Sequence, residues 1–391
     1  MLNKWSRLRI EELCECLDNR RIPIAKDKRE AGSVPYYGAT GIVDYVKNSI
    51  FDERLLLVGE DGADWSANAN TSYIIDGKSW VNNHAHVLKC TKINEIYLNA
   101  YLNFADLTNY INGTTRGKLT KNDLLNINVP VPSVPVQQKI ASILSTVDEA
   151  IQKTDRIIEK TGKLRDGLMN KLLTKGIGHT KFIKTKLGEI PEEWEIKRLS
   201  DVCELIQDGT HFSPKSKEGK YMYITSKNIK EGNLTLHNVT YISEEEHLPI
   251  YKRCPVKKGD VLLTKDGANT GNLCVNPLDQ EFSLLSSVAM IRGNQTILND
   301  FIYFYMSSDR FHKLIRDSMK GLAITRITLD VIRNFNIAVP PLSEQARLVK
   351  ILSKMFKKVE LYKKEKLSLN NLKNGLINDI FGQKVEVDDV A

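Results

Sequence analysis

The sequence predicts an α+β protein with two mixed domains in tandem, each followed by one long helix, and with the two helices paired as an antiparallel coiled coil. Three observations lead to this class. The chain contains an internal repeat, and short apolar runs bounded by turn residues suggest strands in the first part of each copy. Apolar residues at helical spacing then continue for about forty residues at the end of each copy.

The repeat is found by shifting the sequence against itself. With one constant shift and no gap, Leu119-Thr120 falls on Ile327-Thr328, Gln137 on Gln345, and Gly167 on Gly375. Upstream the shift becomes smaller, because the second copy has longer loops. The predicted division is a first domain at 1–135, a first helix at 136–176, a connector at 177–193, a second domain at 194–341, a second helix at 342–382 and a tail at 383–391.

Each predicted helix has the seam of a coiled coil. The first, from Val136 to Thr174, would be about 58 Å long at ~1.5 Å per residue, which is too long for an ordinary core helix. The predicted seams consist of Ile140, Leu144, Val147, Ile151, Ile158, Leu164, Leu168 and Leu172 in the first helix and Leu348, Leu352, Met355, Val359, Tyr362, Leu369, Leu372, Leu376 and Ile380 in the second. The order domain, helix, domain, helix closes into a pseudo-twofold arrangement only if the helices run antiparallel.

The parts before the helices have a mixed pattern. Helices are predicted at Tyr97 to Phe104 and, as one continuous element, at Phe301 to Ser318. The predicted strands are Leu55–Val58, Tyr73–Ile75, His86–Lys89, Tyr221–Thr225, Val261–Thr264, Val288–Ile291 and Phe335–Val339. Because strands and helices do not alternate regularly, the pattern favours α+β domains over a parallel α/β sheet.

Composition excludes some classes of protein. The 391 residues include 56 Lys and Arg against 48 Asp and Glu, a net charge of +8. Residues 1–135 are neutral and the excess lies mainly in the two helices, so charge alone is a weak argument for DNA binding. No apolar run approaches the ~18 residues of a membrane span, and the N-terminus lacks the apolar stretch of a signal peptide. Six irregularly spaced Cys predict a reducing cytoplasm.

No catalytic motif is complete. Gly113 to Lys118 is one residue too short between its glycines for a phosphate-binding loop and is followed by leucine. His84 and His86 would lie on one face of a strand, but no third zinc ligand with usable spacing is nearby, so a hydrogen-bonded structural pair is favoured. The tetrapeptide of an amino-methyltransferase and the glycine-rich loop of a nucleotide cofactor site are also missing. The sequence therefore predicts a binding and assembly protein, not an enzyme.

The tandem mixed domains, each ending in a proline-rich strand exit and a long helix, together with several stretches in this order, resemble the specificity subunit of type I restriction-modification systems. The stretches are Pro35 to Gly41, Val58 to Ala63, Trp80 to Lys89, Gly113 to Thr120, Gly188 to Trp194 and Pro340 to Gln345. The resemblance covers nearly the whole chain. Ser133 to Gln137, which opens the first helix, departs from the pattern of Pro340 to Gln345.

The resemblance implies a non-catalytic subunit with two target-recognition domains, each of which reads one half of a split sequence in double-stranded DNA. It also implies two modification subunits, which methylate adenine with S-adenosylmethionine, and restriction subunits, which cleave DNA after ATP-driven translocation. This chain would then bind no cofactor, and S-adenosylmethionine, ATP and Mg²⁺ would belong to its partners. The alternative is a coiled-coil scaffold that does not bind DNA.

Amides, cations and hydroxyls in polar loops are the groups that contact bases and phosphates. The first-copy candidates for DNA contact are Tyr37, Thr40, Asn82, Asn83, His84, Thr114, Arg116 and Lys118, and the second-copy candidates are Thr225, Ser226, Lys227, Asn228, Asn269, Thr270, Thr325 and Arg326. Each of these residues could equally be part of a solvated turn.

Overall fold

The computed structural model describes residues 5–113, 117–216, 218–319, 326–382, 384–385 and 387. The chain forms two compact units, and each is described by itself. The first unit comprises residues 1–157 and 362–391, and the second comprises residues 158–361. Each unit therefore combines the globular part of one repeat with half of each long helix. The predicted fold class is confirmed.

The first unit is built from twelve described strands and three short helices, followed by the start of a long helix. The strands are β1 (Ser6–Arg9), β2 (Cys14–Cys16), β3 (Ala31–Gly38), β4 (Gly41–Val46), β5 (Phe51–Asp52), β6 (Leu55–Gly59), β7 (Ser72–Ile75), β8 (Lys78–Val81), β9 (Ala85–Cys90), β10 (Ile111–Asn112), β11 (Lys118–Leu119) and β12 (Asn128–Val131). The helices are α1 (Ile10–Leu13), α2 (Glu95–Phe104), α3 (Lys121–Leu125) and the long α4 (Val134–Lys175), with 3₁₀ turns at Asp18–Arg20, Lys26–Lys28 and Thr108–Tyr110.

Two four-stranded sheets form the centre of the first unit. One has the order β2-β9-β6-β7 and is antiparallel, and the other has the order β4-β3-β8-β5, with β3 and β8 parallel. Strand β6 is buried along its whole length because α2 covers one of its faces and the second sheet lies on the other side of its core. The apolar run that predicted this strand thus reflects burial on both faces.

The start of α4 and the end of the second long helix both pack in the core of the first unit. Ile140 and Leu144 of α4 join the same apolar cluster as Phe381, the last residue of α10 (Leu342–Phe381). The Nζ atom of Lys373 lies 2.6 Å from Asp148, and that of Lys366 lies 2.6 Å from Asp155. Seven residues forward along α4 thus correspond to seven residues back along α10, which defines an antiparallel pair.

The second unit repeats this architecture with longer loops. Its strands are β13 (Phe182–Thr185), β14 (Gly188–Pro191), β15 (Glu195–Arg198), β16 (Cys203–Asp208), β17 (Tyr221–Ile224), β18 (Ile229–Lys230), β19 (Asn233–Leu234), β20 (Thr240–Ile242), β21 (Val261–Thr264), β22 (Leu273–Val275), β23 (Phe282–Leu284), β24 (Val288–Gly293) and β25 (Asn336–Val339). Its short helices are α5 (Leu199–Val202), α6 (Glu244–Arg253), α7 (Asn299–Met306), α8 (Asp309–Ser318) and α9 (Leu329–Arg333).

The sheet order of the second unit matches that of the first. The order β16-β24-β21-β22 corresponds to β2-β9-β6-β7, and the parallel pair of β17 and β23 corresponds to β3 and β8. Leu172 and Leu173 of α4 and Leu348 and Leu352 of α10 are buried in its core. In this unit the guanidinium of Arg165 lies 4.8 Å from the ring centroid of Phe356, so the two helices also pack side by side here.

A buried glutamine attaches each long helix to its domain in the same way. The side-chain oxygen of Gln137 accepts the backbone N–H of Asn94, and that of Gln345 accepts the N–H of Leu298, both at 2.9 Å. Each glutamine also donates its amide to a proline carbonyl, that of Pro132 or Pro340. The repeated glutamine of the sequence is therefore a structural anchor.

Glu344 anchors the connector to the start of α10. Its buried carboxylate accepts the backbone N–H of Ile177 at 2.9 Å and the indole N–H of Trp194 at 3.0 Å, and it contacts His179 at 3.0 Å. The first copy has Val136 at the equivalent position. This explains why the two helix starts differ in sequence.

Most element predictions agree with the structure, and two do not. All seven predicted strands are present with ends within two residues. The helix predicted at Phe301 to Ser318 is wrong, because it is two helices: Ser307 caps the end of the first, and Ser308 caps the start of the second by accepting the N–H of Phe311. Leu164 and Leu372, predicted in the seams, are 63% and 52% exposed. Among the described residues, no helix is both long and apolar enough to span a bilayer.

Candidate nucleic-acid interface

In the first unit, backbone hydrogen bonds hold three loops together at one edge of the sheets. The N–H of Asn82 donates to the carbonyl of Tyr37 at 3.1 Å, and the N–H of Glu60 donates to the carbonyl of His84 at 2.9 Å. The N–H of Leu119 donates to Glu60 at 2.8 Å. These bonds bring together the β3–β4 hairpin, the loop after β6, the β8–β9 turn and β11.

The predicted site residues of this unit that the structure describes lie at that edge. Their side chains differ in exposure and in whether they already have hydrogen-bond partners. Asn82 is buried and its side-chain oxygen accepts the N–H of His84 at 2.8 Å, so the amide fixes a turn. His84 contacts Asp61 at 2.6 Å. Thr40 in the hairpin turn, Asn83 and Lys118 are exposed. Among the predicted residues of this unit that the structure describes, these exposed groups and the part-exposed Tyr37 and His84 are available to a ligand without rearrangement.

The exposed face of the hairpin adds a feature that the sequence analysis missed. Ile42, Val43 and Tyr45 of β4 are each about half exposed, beside the polar turn at Thr40. Large apolar side chains on a projecting strand can contact thymine methyl groups in a DNA groove. The sequence shows these apolar residues directly after Gly41, but their exposure to solvent is known only from the structure.

Behind the edge lies a nearly buried charge cluster that holds Lys118 in place. Glu60 accepts hydrogen bonds from Arg21 at 2.5 Å and Lys118 at 2.8 Å. Asp18 contacts Arg21 at 3.2 Å and the Nδ1 atom of His86 at 2.6 Å, while Nε2 of His86 lies 2.8 Å from the carbonyl of Leu119. The Lys118 side chain is half exposed, so its ammonium is fixed at one end and accessible from solvent.

The pKa values in this cluster follow from its pairing. Burial would raise the pKa of Glu60, but hydrogen bonds from Lys118 and Arg21 outweigh it and hold the pKa below its ordinary value. The pKa of Asp18 is likewise lowered, because His86 and the N–H of Val87 overcome the effect of burial. The hydrogen bond to Glu60 raises the pKa of Lys118. Glu60, Asp18 and Lys118 are therefore ionised at neutral pH.

A group of three potential metal ligands includes one histidine of the pair, His86, but not His84. Asp18, Glu60 and His86 place one potential ligand atom each within 4.8 Å of one another. Both nitrogens of His86 already have protein partners, and Arg21 and Lys118 neutralise the carboxylates. The hydrogen-bonded structural pair expected for His84 and His86 is confirmed, and the donor set favours an ion-pair cluster over a metal site.

Replacing Glu60 by glutamine tests the role of the cluster. We expect Glu60→Gln to destabilise the first unit by about 3 kcal/mol at neutral pH, because it leaves Arg21 short of a buried partner. The folded pKa of Glu60 lies below its ordinary value of 4.5, so its contribution is present above that pH and is lost as the pH falls through the folded value. The difference between wild type and variant should thus shrink in acid, as measured by hydrogen exchange of peptides from the first unit.

A matched control for this variant is Glu11→Gln, which removes an exposed carboxylate from the same unit. It should change stability by less than about 0.5 kcal/mol at either pH. If Glu60→Gln were as stable as the control at neutral pH, the cluster would not hold the edge together.

In the second unit, the turn after β17 has the same position as the hairpin of the first. The side-chain oxygen of Asn228 accepts the N–H of Thr225 at 3.0 Å, and its amide donates to Thr235 at 3.2 Å, so Asn228 is buried and structural. Ser226 is bound through its N–H to the hydroxyl of Ser287 at 3.3 Å. Lys227 is exposed. The predicted residues are adjacent, but Asn228 is already engaged.

The charge cluster of the second unit has the opposite polarity at its centre. Lys265 takes the position of Glu60, is 1% exposed, and lies 3.3 Å from both Asp208 and Asp266. Asp266 then pairs with Arg326 at 3.2 Å. The backbone bridge between Asp266 and Arg326 is equivalent to that between Asp61 and Lys118. Each unit therefore presents one half-exposed cation at the same place.

The remaining predicted residues fall into two groups. Asn269 and Thr270 lie in the β21–β22 turn, where the hydroxyl of Thr270 donates to Gly267 at 2.6 Å. Thr114, Arg116 and Thr325 lie outside the described residues. The cluster members that sequence patterns did not predict are Asp18, Arg21, Glu60, Asp208 and Lys265, although the repeated Asp-Gly-Ala stretch adjoins two of them.

In each unit, the edge thus presents one half-exposed cation beside a set of loop residues. A family model described as the type I restriction modification DNA specificity domain matches residues 3–160 and 191–371, most of the chain. The chain belongs to this family of type I specificity subunits.

Specificity subunits from other organisms align with nearly the whole chain. It is 26% identical to the type I restriction enzyme MjaVIII specificity subunit of Methanocaldococcus jannaschii, over 98% of this chain and 93% of that protein. It is 27% identical to a putative type I restriction enzyme specificity subunit of Haemophilus influenzae, over 90% of this chain and 87% of that protein. The family assignment thus covers both repeats.

A solved structure shares the fold. The type I restriction-modification S subunit of M. genitalium superimposes with a TM-score of 0.63 and 18% identity, over 96% of both chains. At this level of identity the likeness concerns the architecture of a specificity subunit and not its individual contacts.

Proposed function

We propose that this chain is the non-catalytic, sequence-specific DNA-recognition subunit of a type I restriction-modification complex, and that each unit reads one half of a bipartite site in double-stranded DNA. The observation that carries the proposal is the equivalent placement of Lys118 and Arg326. Each is a half-exposed cation bridged to the aspartate of an Asp-Gly-Ala turn. A fixed cation at a loop-rich edge is suited to a DNA phosphate or a guanine edge.

The loops around these cations support different specificities for the two halves. The first unit has an apolar hairpin at Ile42 and Val43, whereas the second has the polar turn at Thr225 to Asn228. The buried centres also differ in charge, with Glu60 in one and Lys265 in the other. Edges with different donors, acceptors and apolar groups should read different base sequences.

The exposed faces of the long helices support docking of two identical modification subunits. Leu164 and Gly167 of α4 have the same spacing and the same repeat position as Leu372 and Gly375 of α10. Both leucines are more than half exposed, and a Cβ atom added at either glycine would meet no atom within 4 Å. An exposed leucine next to an open, small position is a suitable contact for a partner helix.

In the proposed complex, the modification subunits bind S-adenosylmethionine and methylate adenine, while restriction subunits use ATP and Mg²⁺. This chain supplies recognition and positioning. The helices, 42 and 40 residues long, would also set the spacer between the half-sites. A rod of about 60 Å corresponds to less than two turns of DNA at ~3.4 Å per base pair.

Exchange of one domain tests the division of specificity. We expect replacement of residues 1–135 by the equivalent segment of a related specificity subunit to change one half of the methylated motif and leave the other half and the spacer intact. Replacement of residues 194–341 should change only the other half. The readout is methylome sequencing of cells that express the chain with its modification partner.

The two exchanges control for each other. If either exchange changed both halves, or if neither changed the motif, reading of separate halves by separate units would be wrong. If the assembled complex bound no DNA, the chain would instead be a scaffold.

A further inference from the structure

The second unit contains a cavity that includes the polar turn at Thr225 to Asn228 and continues beyond it. It has a volume of about 530 Å³ and lies beside the turn after β17. Its lining residues are Ser213, Tyr223, Thr225, Ser226, Lys227, Asn228, Lys230, Thr235, His237, Asn238, Thr240 and Leu285. None of these described lining residues is acidic, and Lys227, Lys230 and His237 are exposed at the rim. The cavity is thus suited to an anionic ligand.

A buried hydroxyl without a partner lies in the wall of the cavity. Tyr223 is 6% exposed, and its hydroxyl oxygen is buried without a hydrogen-bond partner among the described residues. Burial raises the pKa of Tyr223 to about 12, so the hydroxyl remains protonated at neutral pH and can donate a hydrogen bond. Buried polar groups are nearly always paired, so an unpaired one needs an explanation.

The equivalent tyrosine of the first unit shows what is different here. Tyr36 pairs with Trp80 in the parallel β3–β8 ladder, as Tyr223 pairs with Ser283 in the β17–β23 ladder. The hydroxyl of Tyr36 accepts the N–H of Ile24 at 3.0 Å. The same position is therefore internally satisfied in one copy and unsatisfied in the other, next to a cavity.

The floor of this cavity is rigid and polar. Thr225 and Asn228 hold each other by side-chain hydrogen bonds, and Asn228 also donates to Thr235. Asn238 on the rim has a φ of +56°, in the left-handed region that asparagine adopts more readily than other non-glycine residues.

We propose that this cavity is a nucleotide subsite, in which Lys227, Lys230 and His237 hold a phosphate and the hydroxyl of Tyr223 donates to an acceptor on the sugar or base. The volume lies within the ~300–1,000 Å³ typical of small-molecule pockets, and so exceeds what a phosphate alone requires. The nucleotide is either one residue of a bound DNA strand or a free nucleotide. In the first case the subsite rests on the proposed function of the chain.

The test compares Tyr223→Phe with two matched tyrosine variants of the full chain. Tyr241→Phe removes an exposed hydroxyl from β20, in the same unit but outside the cavity. Tyr36→Phe removes the satisfied hydroxyl of the first unit. The probes are a labelled short duplex of random sequence, followed by fluorescence anisotropy, and the four deoxynucleoside monophosphates, followed by thermal shift.

We expect Tyr223→Phe to have the melting temperature of wild type, since the hydroxyl has no internal partner. It should bind whichever probe wild type binds about three- to tenfold more weakly. Tyr241→Phe should bind as wild type does, and Tyr36→Phe should lose stability without losing affinity. The double variant Lys227→Gln, Lys230→Gln should weaken binding further and reduce its salt dependence.

The outcomes separate the subsite from the wider proposal. If wild type binds the duplex and both cavity variants bind it equally well, and no monophosphate stabilises the chain, the subsite is overturned while DNA recognition stands. If only monophosphates bind and Tyr223→Phe weakens them, the subsite stands for a free nucleotide and DNA recognition fails. If no probe binds wild type, the subsite is overturned.

Discussion

Replacing Phe381 by alanine should lower the free energy of unfolding of the first unit by about 3 to 5 kcal/mol. The ring is 8% exposed, and its centroid lies 5.3 Å from that of Tyr97 and 5.5 Å from those of Tyr101 and Phe104. Truncation would leave a cavity between α2 and the end of α10. Hydrogen exchange of peptides that cover α2 measures the effect directly, because their protection should fall with the stability of the unit.

The control for this variant is Leu367→Ala on the same helix. Leu367 is 61% exposed, so its truncation should cost less than about 0.5 kcal/mol. Full protection of α2 in Phe381→Ala would mean that the end of α10 is not part of the first core.

Substitution of both Leu164 and Leu372 by glutamate should remove both modification subunits and abolish methylation. Each single variant should retain one partner, because the two leucines occupy equivalent positions in the repeat. A carboxylate at the centre of an apolar contact costs at least about 2 kcal/mol of binding energy. Native mass spectrometry of the co-expressed complex gives the stoichiometry.

Leu367→Glu serves as the comparison for surface charge. The first helix already has Glu159 at the equivalent position, so this variant makes the two helices more alike and should keep two partners. A double variant that still carried two modification subunits would exclude the Leu164 and Leu372 faces as docking sites.

The exposure of these leucines also shows what sequence periodicity cannot distinguish, namely a helix face that packs within the chain from one that is left exposed. An apolar residue at helical spacing predicts a buried face whether its partner is in the same chain or in another protein. Leu164 and Leu372 fit the seam pattern by spacing, yet both face solvent. Leu144 and Leu352 are also an equivalent pair of the repeat, so the signal that separated Leu164 and Leu372 from them was the glycine three residues later.

The fold could be predicted from the sequence because short sequence patterns indicate most of its strands and helices. Strand β6 is a continuous apolar run, and Gln137 and Gln345 repeat at fixed distance from a proline. The break between α7 and α8 was missed because apolar spacing continues through it, although Ser308 is a good N-cap residue.

The candidate site was harder to predict from the sequence, because its supporting contacts join segments that are far apart along the chain. Asp18 meets His86 across 68 residues, and Lys265 meets Asp208 across 57. Single positions in different loops give no periodicity to detect. The polar residues predicted the loops. They did not predict which side chains lack an internal hydrogen bond, because Asn82 and Asn228 differ from Asn83 only in the contacts of the folded chain.

Trp5 and Phe381, near opposite ends of the chain, contact the same ring, with centroids 6.4 and 5.3 Å from that of Tyr97. The first unit is therefore completed only after the last turn of α10 has been synthesised. The same proximity makes the chain a natural candidate for circular permutation, with its present ends joined by a short linker and new ends opened in the connector. The order of the two repeats along the chain would then have no effect on how the core of the first unit packs.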